Sequence, residues 1–234
     1  MKNINALAMD KNAVSSAALP ATPEVFLVDD DPSVRRALAR LIKSAGHQVQ
    51  TFVSAREFLQ TGAAPQEAAC LVLDVRMPGL SGTDLQRELQ ILNRSVPIVF
   101  ITGHGNIPMS VQAMKAGAVD FLPKPVKDTD LLRAIEQALA RAVRDRAERN
   151  ELEDVLERVE KLTPREREVM VLVVRGLLNK QIAFELGTVE KTIKVHRARV
   201  MEKMQVDSLA NLVRLAEKVG IPAKQIEVRR TVPS

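Results

Sequence analysis

Five side chains in the first two thirds of the chain have types and positions suited to chemistry: Asp29, Asp30, Asp74, Thr102 and Lys124. Each stands at the end of a short apolar run. Asp29 and Asp30 follow Val25–Val28, Asp74 follows Cys70–Leu73, Thr102 follows Pro97–Ile101, and Lys124 comes just after Val119–Leu122. Three carboxylates brought together offer three oxygen donors and a concentrated negative field. That is too little for a Ca²⁺ cage. It suits Mg²⁺ (or Mn²⁺), and Mg²⁺ keeps several waters and takes a few carboxylates together with a phosphate. Such like charges repel unless a cation is present. The ion would also ease the approach of an anionic phosphoryl group. Lys124 supplies a compact positive charge for Asp74 or for a phosphate oxygen on it, and the Thr102 hydroxyl can donate to such an oxygen. One Asp after a strand is ordinary turn chemistry; five such residues are a candidate site.

The five share an edge only if the chain alternates strands and helices, and it does. The apolar runs do not alternate with polar residues, so both faces of the sheet are buried and the strands are parallel. Between them lie segments with helical spacing: Ser33–Ala45 (Val34, Leu38, Leu41, Ile42), a short helix opened by the capping box Ser54-Ala-Arg-Glu57, 82–92, 107–116, and a helix from Asp128. The pattern predicts a doubly wound, five-stranded parallel sheet of flavodoxin-like α/β class. Such sheets bind ligands outside the carboxyl ends of their strands.

The rest reads as all-α. Residues 141–161 hold 13 charged residues with a narrow apolar stripe at Leu152, Val155, Leu156, Val159 and Leu162, which predicts an exposed linker helix. That stripe fits either a short coiled-coil seam or a neighbouring domain. Thr163-Pro164-Arg165-Glu166 is a capping box with Pro at the first helical position. Helices near Lys180–Leu186, Glu190–Met204 and Leu209–Val219 complete a four-helix bundle containing a helix-turn-helix. The expected division is a flexible tail (1–22), the α/β domain (23–140), the linker helix (141–161), the helical domain (162–226) and a C-terminal tail (227–234).

Charge separates the parts. Residues 23–140 carry 12 Lys+Arg against 13 Asp+Glu, whereas residues 163–234 carry 14 against 8. A net of +6 on the last third is the footprint of a nucleic-acid-binding module. With no Trp, no Tyr and only 6 Phe in 234 residues, an aromatic platform for single strands is excluded. One cysteine, Cys70, excludes an intrachain disulfide and a Cys-based zinc cage; its apolar strand makes it a core residue. His104, in Gly103-His-Gly105, reads as a turn residue. The chain has neither an apolar run long enough for a membrane span nor a signal-peptide pattern, so a cytoplasmic protein without membrane contact is expected.

The stretches VFLVDDDPSVR, LVLDVRMPGLSG, PIVFITGHG and AVDFLPKP resemble the receiver domain of two-component response regulators over residues 24–140. ITGHGNIPMSVQAMKAGAVDFLPKP further resembles the FixJ-type branch, which includes regulators of aromatic-hydrocarbon catabolism. The resemblance implies that Asp74 accepts a phosphoryl group from a histidine kinase. It implies that Asp30 and Asp74 ligate Mg²⁺ directly, Asp29 through water, and that the Arg76 backbone carbonyl completes the set. Thr102 is the implied switch hydroxyl, Phe121 the switch aromatic and Lys124 the phosphate partner, with a cis Lys124–Pro125 bond. Phe121 stands where many receivers carry Tyr, so its ring has no hydroxyl to donate. Phosphatases of the haloacid dehalogenase type also place a nucleophilic Asp after a parallel strand. They need a second Asp two positions on as general acid, and here that position is Arg76. The chain is therefore expected not to be an enzyme.

Residues 162–222 resemble the LuxR/NarL-type helix-turn-helix, which puts the third helix in the major groove of double-stranded promoter DNA. Lys194 and Val195 would face base edges, with Ala198 and Arg199 one turn on. Lys180, Lys191, Thr192, His196 and Arg197 would approach phosphates, and Asn179 could bond one. Val189 stands where relatives often have an N-cap Ser, leaving Thr188 as the alternative cap. The implied partners are a cognate histidine kinase, promoter DNA, a second copy of the chain on phosphorylation, and RNA polymerase, with activation as the expected outcome. Leu209, Leu212, Val213 and Ala216 form a stripe that either closes the bundle core or meets a second copy. An adaptor that works by protein contact, with a vestigial DNA domain, is the competing class.

Overall fold

A computed structural model describes residues 24–61, 69–103 and 107–221. The expected tails at 1–22 and 227–234, and the turn at His104, lie outside the described residues. The chain divides into two compact units after Val143.

In the first unit, β1 (Glu24–Val28), β2 (Gln48–Phe52), β3 (Ala69–Asp74), β4 (Ile98–Thr102) and β5 (Asp120–Pro123) form one parallel sheet in the order β2-β1-β3-β4-β5. The helices are α1 (Pro32–Ser44), α2 (Ala55–Gln60), α3 (Gly82–Ile91), α4 (Ile107–Lys115) and the first part of α5 (Asp128–Glu160), whose remainder belongs to the second unit. Successive β1 residues serve opposite faces. Phe26 and Val28 join Phe52, Phe58, Leu71, Leu73 and Phe100 in one core layer. Val25 and Leu27 join Ile42, Val72, Val99, Leu131 and Ile135 in the other. Phe26, Phe52 and Phe58 pack as a triad with ring centroids 5.3–6.1 Å apart, Phe52 and Phe58 edge to face and the other two pairs tilted. Each fully buried side chain of this size contributes up to about 1.5–3 kcal/mol. Both layers are therefore needed to hold the strand ends in register. Cys70 is fully buried, and burial pushes its thiol up to about 12, so it packs as a core residue.

The sequence reading separates a linker helix at 141–161 from the helix that begins at Asp128. The structure has one 33-residue helix, α5, running through that point. No Gly or Pro interrupts 128–160, and the segment is rich in Ala, Leu, Arg and Glu, all good helix formers. The change in charge density at 141 alters the surface of the helix but not its backbone.

In the second unit, α6 (Pro164–Val174), α7 (Asn179–Glu185), α8 (Glu190–Lys203) and α9 (Leu209–Lys218) enclose a core of Val169, Met170, Ile182, Ile193, Val200, Met204, Leu212 and Ala216. Val155, Val159 and Leu162 pack on this core while Leu152 and Leu156 stay exposed, so the stripe is divided between core and solvent. On α9, Leu212 and Ala216 are fully buried and Val213 is partly so, which places them in the bundle core, whereas Leu209 is exposed. The turn between α7 and α8 passes through Gly187 at φ +62°, a left-handed conformation that a side chain would strain. Among the described residues, no helix is long and apolar enough to cross a membrane.

Candidate functional site

The order β2-β1-β3 makes the junction of β1 and β3 the point where the winding of the sheet reverses, and loops there diverge to leave a crevice. Asp29 and Asp30 follow β1, and Asp74 ends β3. One carboxylate oxygen from each of the three lies within 4.8 Å of the others. Asp29 and Asp74 are buried and Asp30 is exposed. Lys124, which follows β5, donates from Nζ to Asp29 Oδ2 at 2.8 Å and to Asp74 Oδ2 at 2.7 Å. Asp29 Oδ1 accepts the Asp31 N–H at 2.9 Å, and Asp74 Oδ1 accepts the Arg76 N–H at 3.1 Å. Thr102, 1% exposed, ends β4 opposite Pro123, and its carbonyl accepts the Lys124 N–H at 2.7 Å. The Lys124–Pro125 bond is cis. Phe121 is half-buried against Phe100, with ring centroids 6.1 Å apart.

These contacts set the electrostatics. Burial, only partly offset by Lys124, raises the Asp29 carboxyl above the ordinary carboxylate range. Burial also pulls Lys124 down, but hydrogen bonds and charge from Asp29 and Asp74 outweigh it and hold the ammonium above its usual value. The site is thus a dense negative pocket with one cation against its inner wall. A divalent ion with about 2.1 Å oxygen bonds spans about 4.2 Å across its octahedron, so three hard oxygens within 4.8 Å are a fitting donor set. An open groove of about 500 Å³ runs beside Asp30, walled by Arg76, Met77, Ser81, Thr83 and Met109.

Two contacts at the site come from the last residues of the stretches LVLDVRMPGLSG and VFLVDDDPSVR, to which the sequence assigned no role. Gly82, at the start of α3, packs so closely on β3 that a Cβ there would overlap the Asp74 carbonyl oxygen. Arg35 reaches back from α1 to the carbonyl oxygens of Asp29 (2.6 Å) and Asp30 (3.3 Å). Both are contacts between a side-chain position and distant or neighbouring backbone, which periodicity does not reveal.

The second unit presents α8 as a basic face. Lys191, Lys194, Val195, Ala198 and Arg199 are exposed there, as is Lys180 on α7, while Thr192, His196 and Arg197 are half-buried. Lys194 Nζ pairs with Glu190 Oε1 at 3.2 Å. Arg197 Nη1 donates to Asn179 Oδ1 at 3.3 Å, tying α8 to α7. Val189 is the N-cap of α8 and offers no side-chain cap, and the Thr188 N–H is taken by the Ala183 carbonyl. Behind this face, Glu166 accepts the Thr163 N–H at 2.9 Å and Lys203 Nζ at 2.6 Å, which holds its carboxyl down at about 2.

Comparison with known proteins matches both units. Residues 25–136 match the response regulator receiver domain, and residues 160–216 match the luxR family of bacterial regulatory proteins. Nodulation protein W of Bradyrhizobium diazoefficiens is 52% identical over 203 residues, covering 87% of this chain and 89% of that one. Transcriptional regulatory protein FixJ of Rhizobium meliloti is 45% identical over 192 residues, covering 82% and 94%. The solved structure of the response regulator StyR superposes with a TM-score of 0.75 at 52% identity, covering 85% of this chain and 100% of that one. With its parallel-sheet receiver followed by a LuxR-type helix-turn-helix, the chain belongs to the DNA-binding response regulators of two-component systems.

Proposed function

We propose that the receiver, the α/β portion up to about residue 140, accepts a phosphoryl group on Asp74 from a histidine kinase. The helical portion from about 162 then regulates a promoter as a dimer. The carrying observation is the convergence of Asp29, Asp30 and Asp74 within 4.8 Å, with Lys124 bridging two of them. Mg²⁺ would be held by Asp30 and Asp74, by Asp29 through water and by the Arg76 carbonyl, and when bound it neutralises the charge of the incoming phosphoryl group. An Asp74 carboxylate oxygen attacks the phosphorus of a phosphohistidine. A P–O bond forms as the P–N bond breaks, and the imidazole leaves with its electron pair and takes up a proton. Lys124 is already at hydrogen-bond distance from Asp74 to meet a phosphate oxygen, and the Thr102 hydroxyl serves a second one.

Drawing Thr102 and Lys124 toward the phosphate lets Phe121 move inward and reshapes the α4–β5 face, which then pairs with a second copy. A shift from 1:99 to 99:1 requires about 5.5 kcal/mol of differential stabilisation. Dimerisation sets two α8 helices about one DNA turn, roughly 10 base pairs, apart. Lys194, Val195 and Arg199 face bases, and Lys180, Lys191, Thr192, His196 and Arg197 lie toward phosphates. Activation through contact with RNA polymerase is the proposed outcome. Acetyl-phosphate labelling, with and without Asp74→Ala, tests the acceptor: the variant should take no label, and equal labelling would overturn the assignment. A gel shift on promoter fragments tests the output. No binding, with or without phosphorylation, would favour an adaptor that works by protein contact and carries a vestigial DNA domain.

A further inference from the structure

We infer that Arg35 is a positioning residue for the ion site: its guanidinium holds the main chain that aims Asp29 and Asp30 at Asp74. The inference rests on the reading that this trio binds Mg²⁺. β1 ends at Val28, and the Asp29 N–H makes the last bond to β2, 3.3 Å from the Phe52 carbonyl. Beyond that point sheet pairing no longer fixes the loop. The Asp29 side chain is held on both oxygens, by Lys124 and by the Asp31 N–H. Asp30 is different. Its side chain is exposed, and among the described residues no hydrogen bond anchors its carboxylate. Its aim therefore depends on its backbone.

Arg35 governs that backbone. From the first turn of α1 its Nη1 donates to the Asp29 carbonyl at 2.6 Å and to the Asp30 carbonyl at 3.3 Å. Bonds from a charged donor are shorter and stronger than neutral ones, and a planar guanidinium holds its acceptors in a fixed relation. The anchor is itself rigid. Asp31 caps α1 by accepting the Ser33 N–H (2.7 Å) and the Val34 N–H (3.2 Å), and the Arg35 N–H bonds the Asp31 carbonyl at 2.9 Å. The acidic loop and the first turn of α1 thus form one braced unit. Arg36, next in sequence, is exposed, and among the described residues its one side-chain hydrogen bond is to the Ser33 hydroxyl at 3.5 Å, so it is an internal control for charge alone.

The test is calorimetric titration of the full chain with MgCl₂, beside Arg35→Gln, Arg35→Lys and Arg36→Gln. Loss of a group that orients metal ligands weakens metal binding about 10–100-fold. Arg35→Gln should fall in that range. Arg35→Lys, whose ammonium is a point charge rather than a fork, should lose less, and Arg36→Gln should match the parent. The Mg²⁺ concentration giving half-maximal acetyl-phosphate labelling should rise by the same factor in Arg35→Gln, while the rate at saturating Mg²⁺ stays at the parent's value. A merely structural role would lower the melting midpoint in EDTA without moving the Mg²⁺ constant. An unchanged constant in Arg35→Lys overturns the inference, even where Arg35→Gln does not fold, and so does an equal loss in Arg36→Gln. A parent chain that takes up no Mg²⁺ overturns the ion reading itself, and this inference with it.

Discussion

The Lys124 ammonium lies 2.7 Å from Asp74 Oδ2, so the proposed acceptor already holds a cation. The same ammonium lies 2.8 Å from Asp29 Oδ2. Lys124→Met would leave two buried carboxylates facing each other with no cation between them. Removing one partner of a buried pair is strongly destabilising; because Lys124 is about a fifth exposed, a loss of about 2 kcal/mol is expected here. Added Mg²⁺ should return much of that loss by replacing the missing charge. The measurement is the receiver melting transition in EDTA and in Mg²⁺. A deficit equal in both solutions would show that the pocket takes no compensating ion.

Gly82 and Asp74 are related by backbone proximity rather than by charge. A Cβ on Gly82 would strike the Asp74 carbonyl oxygen and crowd the Leu73 side chain, while the Gly82 N–H holds the Val75 carbonyl at 3.0 Å. Within a helix, Ala is ordinarily favoured over Gly by about 0.5–1 kcal/mol. Here Gly82→Ala is expected to reverse that sign and destabilise the receiver by about 1–3 kcal/mol, the usual cost of overpacking. It should also slow labelling of Asp74, because α3 and the end of β3 must part. A variant more stable than the parent would refute the close approach.

Glu166 joins the capping box of α6 to Lys203 on α8. Its bond to Lys203, first, and then the Thr163 N–H hold its carboxyl at about 2, below the ordinary 4.5. A carboxyl lowered on folding gives stability that is fully present above its unfolded value and is lost as pH falls toward the folded one. The helical unit should therefore lose stability between about pH 4.5 and pH 2. Glu166→Gln should melt lower at neutral pH and show a shallower dependence across that window. Parallel curves of melting midpoint against pH for the two proteins would remove Glu166 from the account.

The alternation of strands and helices was legible because β1, β3 and β4 are apolar runs that a polar residue ends or follows, whereas the edge strand β2 (QVQTF) mixes polar and apolar residues. That ending also pointed to the candidate site: Asp29, Asp74, Thr102 and Lys124 stand at or just past the carboxyl ends of parallel strands, so chain order brings them to one edge. What was not legible depends on side chains reaching across the fold. Arg35 closes the stretch VFLVDDDPSVR, but nothing in its type or spacing says that it grips the acidic loop. The bond from Arg197 to Asn179, which ties α8 to α7, likewise has no signal in the sequence. The continuity of α5 was hidden because a rise in charge at 141 resembles a boundary, although backbone propensity does not change there.

On α8, Glu190 and Lys194 form an exposed pair at i, i+4, with Glu nearer the N-terminus. Such pairs stabilise a helix by only about 0.2–0.5 kcal/mol, so DNA can break this one at little cost. Glu190 also brings a negative charge to the surface proposed to face DNA. Glu190→Gln should therefore tighten promoter binding, at a slight expense in helix stability through loss of an acidic group from the first turn. Lys194→Ala should weaken specific binding by about 1–3 kcal/mol and relax base preference at one position. Lys180→Ala should weaken binding to every sequence alike and reduce the slope of log affinity against log salt by about 1. Fluorescence anisotropy with specific and scrambled duplexes over a salt series separates the three. If Glu190→Gln weakened binding, Glu190 would be orienting Lys194 toward its base rather than competing for it, and the Glu190→Gln/Lys194→Ala double variant would then bind no worse than Lys194→Ala alone.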